Sequence, residues 1–400
     1  MSETITTRLD RGAITLPATA PAMPATSMRL LSIDFLRGIA ALAVVGSHAI
    51  TYGTLPTATW FRAIAAVLRQ GYLGVPLFFV ISGFCIHMSW ARKTAAGDPS
   101  NVSWFDFWKR RIYRLYPPYF AALLLSLSLV VVAYLLHRDV SLVSSYPSPK
   151  GRWIAIDFAA HALMLHGLLP SLDKMGGNPP FWTLAREEYL YALYAVLLLM
   201  RRRWGLNVSV YAVAATGLVF PLLFLFFLPH QSAWWETVTS SPVVLWIEWS
   251  VGMVAVEAYV GLIQLPAVAY WPWMAFVWGG CAKYLEVKNY VTVSPIFWAL
   301  CFVTLLNYCV RREQRGRWLT GRLAAWLTTV GAFSYSLYLV HYPVRALAKQ
   351  ALGPLNRTSN PWLYLANAMF MALAGYWAAK AMFNLVEKRF LNTPPTGHQR

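Results

Sequence analysis

The sequence predicts an all-α fold, a polytopic transmembrane helical bundle of about ten spanning helices with both termini cytoplasmic. Three observations carry that expectation. The chain is 58% hydrophobic and only 12% charged, with a mean hydropathy of +0.47, too apolar for a water-soluble domain of 400 residues. Its apolar residues fall in windows close to the ~20 needed to cross a bilayer. Its basic residues are clumped between those windows, as the positive-inside rule requires of cytoplasmic loops. The same clumping means that the net charge of +18 does not point to nucleic acid.

Taken in order, residues 1–28 are rich in Thr, Ala and Pro, lack apolar periodicity, and read as a disordered cytoplasmic tail. They contain no hydrophobic core, so the first span is expected to serve as an uncleaved anchor. A membrane domain follows over 29–390, with spans at 30–52, 72–91, 117–136, 182–200, 207–228, 243–262, 265–281, 291–310, 325–348 and 362–387. A short tail, 391–400, closes the chain.

Residues 153–169 are ambiguous, and charge decides them. If they do not cross, 20 of the 34 Lys and Arg residues lie inside and 11 outside; if they do, the tally becomes 15 against 16. The first arrangement obeys the rule. It puts Lys109–Arg111, Arg201–Arg203, the Arg311–Arg322 cluster and Lys388-Arg389 in the cytoplasm and leaves 153–169 on the outer surface or re-entrant.

The first span carries the most chemistry. Asp34, Arg37 and His48 stand in an otherwise apolar stretch, and a charge at mid-bilayer costs at least ~2.5–3.5 kcal/mol, so such residues mark a site. Arg37 and His48 are eleven positions apart, about three turns, so both leave one face of the helix roughly 16 Å apart. Asp34 is within ion-pair reach of Arg37. The plainer reading is a snorkelling arginine and a hydrogen-bonded core histidine.

Later stretches add candidates. GYLGVPLFFVISGFCI, 71–86, has small residues for close helix approach. Arg111 and Arg114 share a face just before a helix expected to start at Pro117-Pro118, and two guanidinium forks suit a phosphate. Topology and lipid phosphate contact are the plainer roles. Arg186, Glu187 and Glu188 enter a span from the outer side, where Glu187 is placed to hold a substrate hydroxyl or orient a histidine; an interfacial charge cluster under aromatic residues is the alternative. Ser334, Tyr338 and His341 fall at i, i+4 and i+7, a polar stripe on an apolar helix. His341 lies at a depth comparable to His48. Glu248 and Glu257, nine apart, lie on opposite faces and make no paired site. Cys85, Cys281, Cys301 and Cys309 have no metal-type spacing and read as packing residues.

In this order these residues resemble acyltransferase family 3, a family of integral membrane proteins. The likeness runs from Leu31 to Phe390. It rests on Asp34, Arg37, Gly38 and His48; on GYLGVPLFFVISGF; on Arg111 and Arg114; on Trp182, Thr183, Leu184 and Glu187; and on Ser334, Tyr335, Tyr338 and His341. Thr183 stands where the family usually has Ser, Phe35 replaces a common Gly, and Arg186 replaces an apolar residue, which suggests an altered outer pocket. The esterase-like domain fused to some relatives is expected to be absent.

The resemblance implies O-acyl transfer, usually acetyl, from coenzyme A to a sugar hydroxyl of a glycan, at a bacterial inner membrane. Acetyl-CoA, as donor substrate, would contact Arg37, Arg111, Arg114, Ser334 and Tyr338, with no permanently bound cofactor and no metal. His48, Glu187 and His341 would be catalytic, His48 as general base; a covalent acyl-histidine relay is the alternative chemistry. The implied partners are acyl-CoA, a glycan or glycosylated acceptor, and membrane lipids. Two further readings stay open at this point: a secondary transporter of an anionic solute, and an acyltransferase of a macrolide-like or lipid acceptor.

Overall fold

The computed structural model describes residues 29–50, 55–98, 101–136, 146–172, 178–229, 232–356 and 358–391. Residues 1–28 and nearly all of the expected C-terminal tail lie outside them. Among the described residues the chain is helical, with no strand. The α-helices are α1 Leu31–Ile50, α2 Thr59–Arg69, α3 Gly74–Ala95, α4 Trp104–Leu135, α5 Lys150–Ala162, α6 Phe181–Leu225 and α7 Ala233–Thr239. They continue with α8 Pro242–Tyr259, α9 Pro272–Val287, α10 Ser294–Gln314, α11 Arg322–Ala332, α12 Ser334–Leu352, α13 Pro361–Met382 and α14 Lys388–Leu391.

Seven helical stretches are long and apolar enough to cross a membrane, and the bent pair α11–α12 makes an eighth. The expected count was about ten, and the difference has identifiable sources. The expected spans 182–200 and 207–228 correspond to two helices joined across a kink at Gly205 (φ 80°, ψ 172°), a conformation that suits glycine; they run on as the single apolar stretch α6 and so count once. Span 265–281 begins later, because Pro272 starts α9, and its 16 residues fall short of a full crossing. Helix α5 has 13 residues, about 20 Å, and is followed by two 3₁₀ turns; it is too short to cross, as the charge count requires.

Two other expectations change. The helix expected to start at Pro117-Pro118 instead starts at Trp104, where the Ser103 side chain accepts the Asp106 N–H, and runs through both prolines. The Tyr335 hydroxyl donates to the Leu115 carbonyl just before the proline pair. Span 325–348 is not straight: it breaks at Phe333 and turns by 78° between α11 and α12.

Close packing is purchased with glycine. A Cβ on Gly331 would lie 1.7 Å from the Asp34 carbonyl oxygen, so α11 meets α1 backbone to backbone. Likewise a Cβ on Gly83 would lie 1.9 Å from the Trp249 carbonyl oxygen, which fixes α3 against α8. These two contacts set α1, α3 and α11 around a common space that α4, α6 and α12 complete.

Candidate active site

That space is a cavity of about 140 Å³. Six candidate residues line it: Arg37, Arg111, Arg114, Glu187, Ser334 and Tyr338. They come from four different helices, so the sequence separated what the bundle joins.

The cations are loosely held. Arg37 donates from Nη2 to Cys85 Sγ at 3.6 Å, and its Nη1 lies 3.9 Å from Asp34 Oδ1. Asp34 itself is tied to Arg29. Arg111 packs over the rings of Phe107 and Tyr191, at 5.1 and 5.5 Å, and its Nε has no partner among the described residues. Arg114 is exposed at the cavity mouth.

Two carboxylates face these arginines. Glu187 Oε1 accepts from the Ser82 hydroxyl at 2.8 Å and from the Tyr191 hydroxyl at 2.5 Å. Glu187 therefore belongs to the arginine cavity and does not orient a histidine. Glu387 also lines the cavity and accepts from the Ser336 N–H and hydroxyl. Because α12 begins at the 78° break, its first residues, Ser334 and Tyr335, face the cavity. Backbone N–H groups at a helix start favour an anion, and this one is joined by three arginines.

At the far wall Thr183 and Tyr338 share a 2.8 Å hydrogen bond. Thr183 Oγ1 also lies 3.0 Å from the Pro180 carbonyl, which can only accept. The Thr183 hydroxyl is thus shared between the Tyr338 oxygen and the Pro180 carbonyl. Beyond Tyr338 stand the two remaining candidates, His48 and His341. They do not line the cavity; they meet each other, with His48 Nδ1 2.9 Å from His341 Nε2. The His341 and Tyr338 ring centroids are 6.0 Å apart. His48 and His341 thus share a depth, as the spacing predicted.

Several residues were missed or misjudged. Glu387 sits in LVEKRF, where the following Lys-Arg pair reads as a topology signal and hides a cavity carboxylate. Cys85 read as packing, yet it lines the cavity beside Arg37. Arg186 does not shape an outer pocket: it donates to the Gly167 and Ser240 carbonyls and ties the turn after α5 to the α7–α8 junction. Glu248 and Glu257 do not pair; Glu257 instead binds Arg201 at 2.7 Å and His87 at 3.2 Å. Among the described residues no cluster of His, Cys, Asp and Glu has metal-binding geometry.

Comparison with known proteins decides the class. Residues 30–380 match the family model described as an acyltransferase domain. The chain belongs to this acyltransferase family. It is 25% identical over 372 residues to acyltransferase MdmB of Streptomyces mycarofaciens, covering 88% of each chain. It is 25% identical to the putative peptidoglycan O-acetyltransferase YrhL of Bacillus subtilis (strain 168), covering 82% of this chain and 50% of that one. The peptidoglycan O-acetyltransferase OatA of Listeria monocytogenes is 25% identical over 47% of this chain and 27% of its own length. No solved structure matches the chain. The protein is a multi-pass membrane O-acyltransferase, which sets the transporter reading aside.

Proposed function

We propose that the arginine cavity receives an acyl-CoA, most often acetyl-CoA, from the cytoplasm, and that the acyl group passes to a sugar hydroxyl of a glycan at the outer side of a bacterial inner membrane. One observation supports this most directly: three arginines from α1 and α4 and the start of α12 converge on a single cavity whose far wall, Tyr338, touches the histidine pair. The cations suit the donor's phosphates, and a pantetheine arm directed past Tyr338 would bring the thioester toward His48. Two of the relatives bear peptidoglycan O-acetyltransferase in their names, which favours a glycan acceptor.

The chemistry is direct transfer. The acceptor oxygen attacks the thioester carbonyl while His48 takes its proton. The tetrahedral species collapses, the C–S bond breaks, and the coenzyme A thiolate recovers that proton from His48. The products are an ester and free coenzyme A. The Tyr338 and Ser334 hydroxyls lie on the donor's path, and the Glu187 carboxylate fixes Ser82 and Tyr191 beside the arginines.

The test is transfer of labelled acetyl groups by the purified protein to glycan fragments. His48→Ala should lower turnover by roughly 10²–10⁴-fold while the protein still inserts and melts normally. Near-normal turnover in a well-folded His48→Ala sample would remove His48 from the reaction.

A further inference from the structure

We infer that His341 is a positioning residue that fixes the tautomer of His48 and leaves His48 Nε2 as the bare, proton-accepting nitrogen. The inference rests on the reading of His48 as general base and names the atom that does the work.

The hydrogen bonds permit one assignment when both rings are neutral. His341 Nδ1 lies 2.9 Å from the Leu337 carbonyl and 2.9 Å from the Tyr338 carbonyl, in the preceding turn of its own helix. Carbonyl oxygens only accept, so His341 Nδ1 carries the hydrogen. A neutral imidazole has one N–H, so His341 Nε2 is an acceptor. Its partner across 2.9 Å is His48 Nδ1, which must therefore donate. That places the one hydrogen of His48 on Nδ1 and its lone pair on Nε2. The two rings are nearly parallel, 16° apart with centroids 5.1 Å apart.

Accessibility divides the roles the same way. His341 is 2% exposed, and both of its nitrogens are occupied. His48 is half-buried, so it is the member of the pair that an incoming hydroxyl can reach. The Tyr342 ring stands edge-on to His48 at 5.2 Å. The Pro343 that follows interrupts no part of the relay, because the carbonyls that hold His341 belong to the turn before it. Backbone, His341 and His48 thus form a directed chain that begins at two carbonyls and ends, among the described residues, at a lone pair without a partner. When Nε2 accepts the acceptor's proton, His48 becomes a cation whose Nδ1–H already points at a neutral acceptor, which stabilises the charge without moving a group.

Two measurements test this. In the full chain labelled with ¹⁵N at histidine and reconstituted in lipid, signals assigned by their loss in His48→Gln and His341→Gln should show His48 with a protonated Nδ1 and a bare Nε2, and His341 with the same pattern. A protonated Nε2 on His48 overturns the inference. This readout needs no substrate, so it stands apart from any failure of the acyl-transfer reading. In turnover, His341→Ala should lower kcat about 10²-fold with the KM for acetyl-CoA changed less than threefold, as loss of an orienting partner does. His341→Gln, whose side-chain oxygen can take the place of Nε2 as acceptor, should recover at least tenfold of that loss. Equal activity of the Ala and Gln variants in folded protein would assign His341 to packing alone and overturn the proposal.

Discussion

Two of the charged clusters inside this bundle are built on opposite plans. In the first, Glu257 on α8 is fully buried and takes both Nε and Nη2 of Arg201 at 2.7–3.2 Å, while His87, also fully buried, bonds Glu257 on one side and the Tyr194 hydroxyl on the other. Each charge has a close, directed partner. In the second, Arg37, Arg111 and Arg114 surround a cavity with contacts of 3.6 and 3.9 Å, ring faces and an unpartnered Nε. A fully paired cluster has no capacity for a ligand. Converging cations that face open space, with two carboxylates already engaged by hydroxyl groups, keep theirs. The difference separates charge whose partners lie within the fold from charge that faces a cavity.

The largest expected effect tests the first half of that contrast. Glu257→Ala leaves Arg201 and His87 without their carboxylate, and breaking a buried pair costs about 3–5 kcal/mol. The variant should melt lower and accumulate less, yet turn over near wild type per folded molecule, because Glu257 does not line the cavity. Normal melting with lost activity would move this cluster into the site.

The second expected effect tests the other half. Arg111→Ala and Arg114→Ala should leave stability nearly unchanged and raise the KM for acetyl-CoA by roughly tenfold each, since a charge-assisted hydrogen bond contributes about 1.5–3 kcal/mol. Saturated turnover should hold within a few-fold, because phosphate contacts made equally in ground and transition states act on KM. An unchanged KM would leave both arginines as topology signals.

Side-chain directions along a helix were more legible in the sequence than the bends and boundaries of the helices. Periodicity alone brought Arg37 and His48 onto one face and placed Ser334, Tyr338 and His341 in one stripe, because a helix turns side-chain spacing into direction. It matched the depths of His48 and His341 but not their contact, which depends on α12 leaning toward α1. The break at Phe333 was hidden, because no proline marks it; the nearby close approach of Gly331 to the Asp34 backbone is a contact between residues almost 300 positions apart. Pro117 and Pro118 misled for the reverse reason. A proline pair normally ends or starts a helix, but here the capped start at Trp104 and the packed neighbours carry the helix through. The paired cluster was equally illegible: Arg201 read as part of a cytoplasmic basic run, His87 drew no notice, and only the packing of α3, α6 and α8 joins them to Glu257.

The smallest expected effect falls on the boundary between cavity and histidines. Thr183 donates to Tyr338 at 2.8 Å, and both residues are buried, at 6% and 7% exposure. Thr183→Val keeps the shape and removes that hydrogen bond. The net loss of one neutral hydrogen bond is about 0.5–1.5 kcal/mol, and the Tyr338 hydroxyl can turn into the cavity it already lines, which limits the penalty for leaving it unpaired. Thermal stability should therefore fall slightly, the KM for acetyl-CoA should stay within about threefold, and kcat should fall by no more than about tenfold, the equivalent of ~1.4 kcal/mol. That pattern would make the Thr183–Tyr338 bond a strut of the far wall. A loss of kcat beyond a hundredfold would instead place these hydroxyls at the reacting carbonyl, and the boundary between the donor cavity and the histidine pair would become part of the catalytic centre itself.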